Sequence, residues 1–277
     1  MKIIIWAAVI AISFMGWHAV AAEEVPHQGF KARDHYSGKY KKASRHKAFV
    51  IAPGGGWQWY NGKPSAQKAI KAAIDKCQKK SEICVPYDVD GKKVFDETKW
   101  ASVLAPYPAP SAAATAKIGG KKGDLFPDLA FKTQSGEKKF ISDYRGKILF
   151  VNIWTSWCPS CQTEMPSLNT LYEKYKNNPE VEFLIVGTRE SMATSLRFVK
   201  RKKLTMPIYH TGVNSKNDRD VPLKDGSEFN MKKMSQWIPS SYLVDRNGVV
   251  IWREKRGGFD YWDQFTPQLE HVIRHAN

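Results

Sequence analysis

The run Ile148-Leu149-Phe150-Val151-Asn152-Ile153 leads almost directly into Trp157-Cys158-Pro159-Ser160-Cys161, and no other stretch so narrows the folds open to this chain. A short apolar run of this kind reads as a buried strand. Pro159 suits the first position of a helix, where its missing N–H would have had no partner. A strand feeding a helix sets Cys158 at the helix N-terminus, where unpaired N–H groups and the helix dipole favour a thiolate over a thiol. Cys161, three residues on, lies over the same face and can close a disulfide with it. The pair therefore reads as a redox switch in which Cys158 attacks and Cys161 resolves. A zinc half-site is the competing reading. It needs a second close pair of ligands, and Cys77 and Cys84, with six residues between them, have no nearby partner.

Further signs lie downstream of the cysteines: Glu164 and Pro166, and then Ile238-Pro239-Ser240-Ser241-Tyr242-Leu243-Val244-Asp245. Together with Trp157-Cys158-Pro159-Ser160-Cys161 they make the chain from about Gly119 to its C-terminus resemble the thioredoxin fold and, within it, the TlpA/ResA-like thiol:disulfide oxidoreductases of extracytoplasmic compartments. The expected fold class is α/β. It comprises a C-terminal thioredoxin-like unit over 121–277, with a central mixed sheet flanked by helices, and a smaller N-terminal α/β domain. The resemblance implies that Pro239 is a cis-proline facing the cysteines and that Glu164 handles the thiol protons. Trp157, Pro159, Ser160 and Ile238 are the residues it would bring against a substrate. It also implies no cofactor, electrons from a membrane thiol carrier, and clients among exported disulfide-containing proteins, with apocytochromes c as candidates. Two features of the residues themselves bear on mechanism. Asn152 occupies a strand position where many thioredoxins carry an aspartate, and it cannot take up a proton, which leaves Glu164, one turn past Cys161, as the nearest ionisable group. Ser160 lacks the ionisable imidazole that helps strong oxidants hold a very acidic thiolate, so reduction is favoured over oxidation.

The N-terminal half reads less directly. Residues 1–22 carry Lys2, an apolar core and Ala19-Val20-Ala21-Ala22, the pattern of a secretory signal, with an uncleaved anchor as the alternative. Either places the rest of the chain in the periplasm or another extracytoplasmic space. Residues 23–47 are rich in Lys and Arg and read as a solvated basic arm. From 48 to 100 the pattern is a small α/β domain: a strand at Ala48-Phe49-Val50-Ile51, a glycine turn at 53–56, an aromatic strand at 57–60, a helix capped by Ser65, and a strand near 83–89. The glycine run lacks the Gly-Lys-Ser/Thr ending of a phosphate loop and reads as structural. Cys77 and Cys84 are expected to form a structural disulfide, which an oxidising compartment permits and a small domain benefits from. Residues 101–120, rich in Ala and Pro, read as a semi-extended linker. The polar stretch 211–227 is longer than the family places there, and reads as either a specificity element or a tolerated insertion.

Charge adds one constraint. The net charge of +16 favours acidic partners or an anionic envelope surface. Nucleic acid is not expected, since no nucleic-acid module is present. His271 and His275 share a helix face but have no evident third metal ligand. Two rival classes remain open: a thiol peroxidase built on a related fold, and a basic envelope-binding protein carrying an accessory thioredoxin unit.

Overall fold

In the computed structural model the described residues are 25, 27–215, 217–255 and 262–277. The expected leader, 1–22, lies outside them. The N-terminal part contains α1 (Phe30–His35) continued by a π-helical turn (Tyr36–Tyr40), β1 (Ala48–Ile51), β2 (Trp57–Tyr60), α2 (Ala66–Cys77), β3 (Val85–Val89) and β4 (Lys92–Lys93). Its four strands pair in the order β2-β1-β3-β4, with β1 antiparallel to both neighbours. Ser65 caps α2 by accepting from Lys68 N, and Ala69, Ala73 and Cys77 recur at helical spacing to bury one face of that helix against β1. Cys77, the last residue of α2, is disulfide-bonded to Cys84.

The C-terminal part runs β5 (Ala130–Lys132), β6 (Lys138–Phe140), β7 (Ile148–Trp154), α3 (Pro159–Tyr175), β8 (Val181–Gly187), α4 (Met192–Arg201), β9 (Ile208–His210), β10 (Asp220–Pro222), β11 (Glu228–Asn230), α5 (Lys232–Ser235), β12 (Ser240–Val244), β13 (Val250–Lys255) and α6 (Thr266–His275). The main sheet has the order β13-β12-β7-β8-β9-β5-β6. β7, β8 and β9 are parallel, and β12, β13 and β5 run antiparallel to their neighbours. This is the mixed sheet of a thioredoxin-like fold. All seven residues of β7 are buried, as a central parallel strand covered on both faces requires. Ile148, Phe150 and Trp154 pack with buried residues of α3, α4 and α6, while Leu149, Val151 and Ile153 form a second core on the other face.

Two stretches differ from their sequence reading. The basic arm, expected over 23–47, is folded over its described run 27–47: Ala32, Tyr36 and Tyr40 are buried, and both tyrosine hydroxyls donate to the buried Asp88 carboxylate, at 2.8 and 2.5 Å. Lys47 is buried too, its ammonium donating to the carbonyls of Tyr40, Lys41 and Ala43. The other basic residues that suggested a solvated arm, among them Lys31, Lys39, Lys41, Lys42 and Arg45, are exposed. The linker 101–120 is likewise not a free spacer. Leu104 is fully buried in the main core, Lys122 donates through Nζ to its carbonyl, and Gln268 of α6 donates to the Trp100 carbonyl. Within the polar stretch 211–227 lies β10, whose hairpin with β11 buries Val221 and Phe229 in the second core.

The two parts meet along the free edge of β13. Ser81 bridges to Glu254, Lys255 N donates to the Lys80 carbonyl, and Arg253 pairs with Glu82 at 2.9 Å. A short segment of the N-terminal part thus covers a sheet edge that would otherwise expose unpaired backbone groups.

The docked linker leads to a stability prediction. Leu104→Ala should lower unfolding free energy by about 2–5 kcal/mol, the usual cost of a cavity at a closed core site. Urea titration measures it, and a loss of only a few tenths of a kcal/mol would return 101–120 to the status of a spacer.

Candidate active site

The chain emerges from β7 into Thr155-Ser156-Trp157 and enters α3 with Cys158 as N-cap. Cys158 Sγ accepts from the backbone N–H of Cys161 at 3.3 Å, the capping bond a serine would make in its place. Cys158 and Cys161 are both unbonded thiols, and their environments differ sharply. The interaction with the Cys161 thiol, aided by the backbone N–H groups of Cys161 and Ser160, draws the Cys158 thiol down to about 6 against the opposing effect of burial. Cys161 has no exposed surface, and burial, then Cys158 and the charge of Glu164, push its thiol strongly upward. One sulfur is therefore a thiolate at neutral pH and the other a thiol.

Opposite them, the Ile238–Pro239 bond is cis, and the Ile238 carbonyl oxygen lies 3.5 Å from Cys158 Sγ. Pro239 is buried and Ile238 partly so. Trp157, Pro159 and Ser160 are exposed beside Cys158. Trp237, one residue before Ile238, is also exposed, and was missed in the sequence because nothing local distinguishes it from a core tryptophan.

Glu164 is fully buried beneath the cysteines rather than facing solvent. Asn152 Nδ2 donates to its Oε1 at 2.8 Å, and Trp262 Nε1 to its Oε2 at 3.4 Å. The second Asn152 amide hydrogen goes to Ser241 Oγ at 3.0 Å. Asn152, incapable of taking a proton itself, thus fixes the carboxyl that can. Pro166 lies inside α3, which continues past it to Tyr175.

A second acid, Glu190, shapes the entry to the helix. Its carboxylate accepts from Ser156 N at 2.9 Å, Ser156 Oγ at 2.6 Å and Ser195 Oγ at 2.6 Å, which ties the turn before Cys158 to the start of α4. Sequence reasoning passed over Glu190, since the pairing spans 34 residues and no local pattern announces it. At the far end of the chain, His271 meets Tyr107 at 2.6 Å and stacks on His275 at 4.2 Å between ring centroids.

The chain matches the Redoxin family model over residues 121–258. It is 34% identical over 136 residues to the thiol-disulfide oxidoreductase ResA of Geobacillus kaustophilus, covering 49% of this chain and 70% of that protein. Against the ResA of Bacillus thuringiensis subsp. konkukian it is 30% identical over 152 residues, covering 55% and 76%. Among solved structures, the thioredoxin domain of a thiol-disulfide oxidoreductase from Bacteroides vulgatus aligns with a TM-score of 0.43 and 21% identity, over 55% of this chain and 97% of that one.

The unequal thiols make a pH prediction. A cysteine whose ionisation is favoured reacts at lower pH, so iodoacetamide should alkylate Cys158 with a rate that rises through about pH 6 and levels off by neutrality. Cys161 should remain unmodified in native protein throughout that range. Peptide mapping distinguishes the two, and a midpoint for Cys158 near the ordinary thiol value of about 8.5 would contradict the asymmetry.

Proposed function

Because the chain belongs to the ResA family of thiol-disulfide oxidoreductases, we propose that it is an extracytoplasmic reductase that opens disulfides in exported proteins through its Cys-Pro-Ser-Cys pair. The observation that carries this reading is the asymmetry of the two thiols, one drawn down to about 6 at a helix N-terminus and one buried and pushed up. The Cys158 thiolate attacks a client disulfide; its S–S bond breaks, one client sulfur joins Cys158, and the other leaves as a thiolate that takes a proton from water. Cys161 then gives its proton to the Glu164 carboxylate and attacks Cys158 Sγ, expelling the second client sulfur. The client gains two electrons and the enzyme is left with a Cys158–Cys161 disulfide. A membrane thiol carrier would restore the dithiol.

Glu164 suits the proton step by burial and by the two donors that fix its oxygens. Pro239, Ile238, Trp157, Pro159, Ser160 and Trp237 form the rim that a client chain would meet. The exposed indoles give that rim apolar contact area suited to an unfolded segment, of which an apocytochrome c is one candidate. Placement outside the cytoplasm is supported by the leader pattern of residues 1–22 and by the Cys77–Cys84 disulfide. The positive surface would favour an anionic envelope.

The roles of the two cysteines can be separated. Cys161→Ser should stall after the first step with the client attached to Cys158, as an adduct that survives denaturation and is lost on adding reductant. Cys158→Ser should trap almost nothing and reduce insulin no faster than background. Equal trapping by both variants, or by neither, would overturn the reductase reading. Glu164→Gln should keep the fold while slowing resolution more than attack, since only resolution needs the Cys161 proton removed.

A further inference from the structure

The thiol site is continuous with a second buried acid that the steps above do not use. β12 pairs with β7 and β13 so that Ser241 stands opposite Asn152 on one side and Glu254 on the other. Asn152, Ser241 and Glu254 therefore form one cross-strand row on the face that carries Glu164, next to the apolar row Phe150, Leu243 and Trp252. Glu254 is 2% exposed. Ser81 Oγ donates to its Oε1 at 2.6 Å, and its Oε2 is buried without a hydrogen-bond partner. The glycine turn 53–56 closes over it: a Cβ on Gly54 would come within 2.7 Å of Glu254 Cγ and Trp252 Cζ2, and one on Gly56 would collide with Ser81 Oγ. The N-terminal part has thus built a backbone lid and one hydroxyl around this acid.

Resting on the thiol-disulfide reading, we propose that Glu254 is a positioning residue of the thiol site: a buried carboxyl, held by Ser81 and the 53–56 turn, that sets the proton affinity of Glu164 across the sheet. Two carboxyls in one low-dielectric region do not readily ionise together, so the charge of one raises the proton affinity of the other. The charged groups facing Glu254 are Lys80 and Glu82 on the loop after α2 and Glu164 on α3. Residues 52–57 contribute none. Burial pushes the Glu254 carboxyl up to about 8; Ser81 and Lys80 pull the other way, and Glu82 and Glu164 add to the rise.

The sign follows. Below about pH 8 Glu254 is neutral, and Glu164 can hold a negative charge. Above it the Glu254 anion makes Glu164 a stronger base, and the move of the Cys161 proton to Glu164 becomes easier. Asn152 donates both to Glu164 and to Ser241, the strand partner of Glu254, so the acid nearest the cysteines is the one that shares this row.

Stopped-flow reduction of a symmetrical aromatic disulfide by the reduced full-length chain separates the steps. Attack by Cys158 releases one aromatic thiolate, and resolution by Cys161 releases the second. In the native protein the second phase should show a several-fold rise centred near pH 8, beyond the smooth increase due to hydroxide. Glu254→Gln, which preserves shape and can still accept from Ser81, should abolish that step while leaving the first phase at pH 7 within about twofold, the scatter expected without a change in attack. Ser81→Ala removes a hydrogen bond that favours the ionised form, and should move the step to higher pH. Persistence of the step in Glu254→Gln, an equal change in both phases at every pH, or an unmoved step in Ser81→Ala overturns the proposal. If Glu254→Gln fails to fold, the Ser81→Ala displacement alone decides. Absence of both phases in the native protein would instead refute the oxidoreductase reading.

Discussion

A carboxyl cannot be taken out of water without donors to receive it, and the interior of this protein is arranged around that requirement at Glu164. One oxygen is met by Asn152 from the central strand and the other by Trp262 from the turn preceding α6. Asn152 lies on the strand just before α3 and Trp262 lies 98 residues away, so the acid ties α3 and β7 to the C-terminal helix. Phe150 and Trp252 meet Trp262 edge-on, with centroids 5.1 and 6.3 Å apart, and hold the indole over the carboxyl. The carboxyl beneath the cysteines and the packing of the core therefore rest on the same contacts.

Above this floor the two sulfurs acquire different characters from position alone. Cys158 receives the Cys161 thiol and, at the helix end, backbone N–H groups, while Cys161, one turn in, is buried against Cys158 and the charge of Glu164. Glu190, in the connection between β8 and α4, holds the approach to the helix through Ser156 and bonds Ser195 of α4, so the capping geometry is anchored from α4 as well as from β7. The Cys161 thiol and the helix N-terminus together favour the thiolate, and a fixed turn holds its position.

The N-terminal part is bound to this machinery rather than tethered beside it. It covers the edge of β13 with the segment Lys80 to Glu82, and its carboxylate at Glu82 pairs with Arg253 although burial raises that acid above its ordinary range. Its own interior follows a similar rule on a smaller scale, with Asp88 held by two tyrosine hydroxyls and Lys47 by three carbonyls. Small cores of this size hold few apolar residues, and satisfied polar groups together with a disulfide supply the remaining definition.

The amino-acid sequence alone determined whatever depends on short spacings. A buried strand running into Cys158-Pro159-Ser160-Cys161 set the helix N-terminus and the order of the two sulfurs; the cis bond before Pro239 stands where the resemblance placed it, and Cys77 and Cys84 are joined across a short connection. The four-residue recurrence of Ala32, Tyr36 and Tyr40 was also present, but it was outweighed by the lysines around it. Tertiary structure decided the rest. Nothing near Glu190, Trp237 or Trp262 announces a part in the site, and Ser81 meets Glu254 across 173 residues. Such pairings follow from strand order and register, which bring together side chains whose separation along the chain carries no periodic signal.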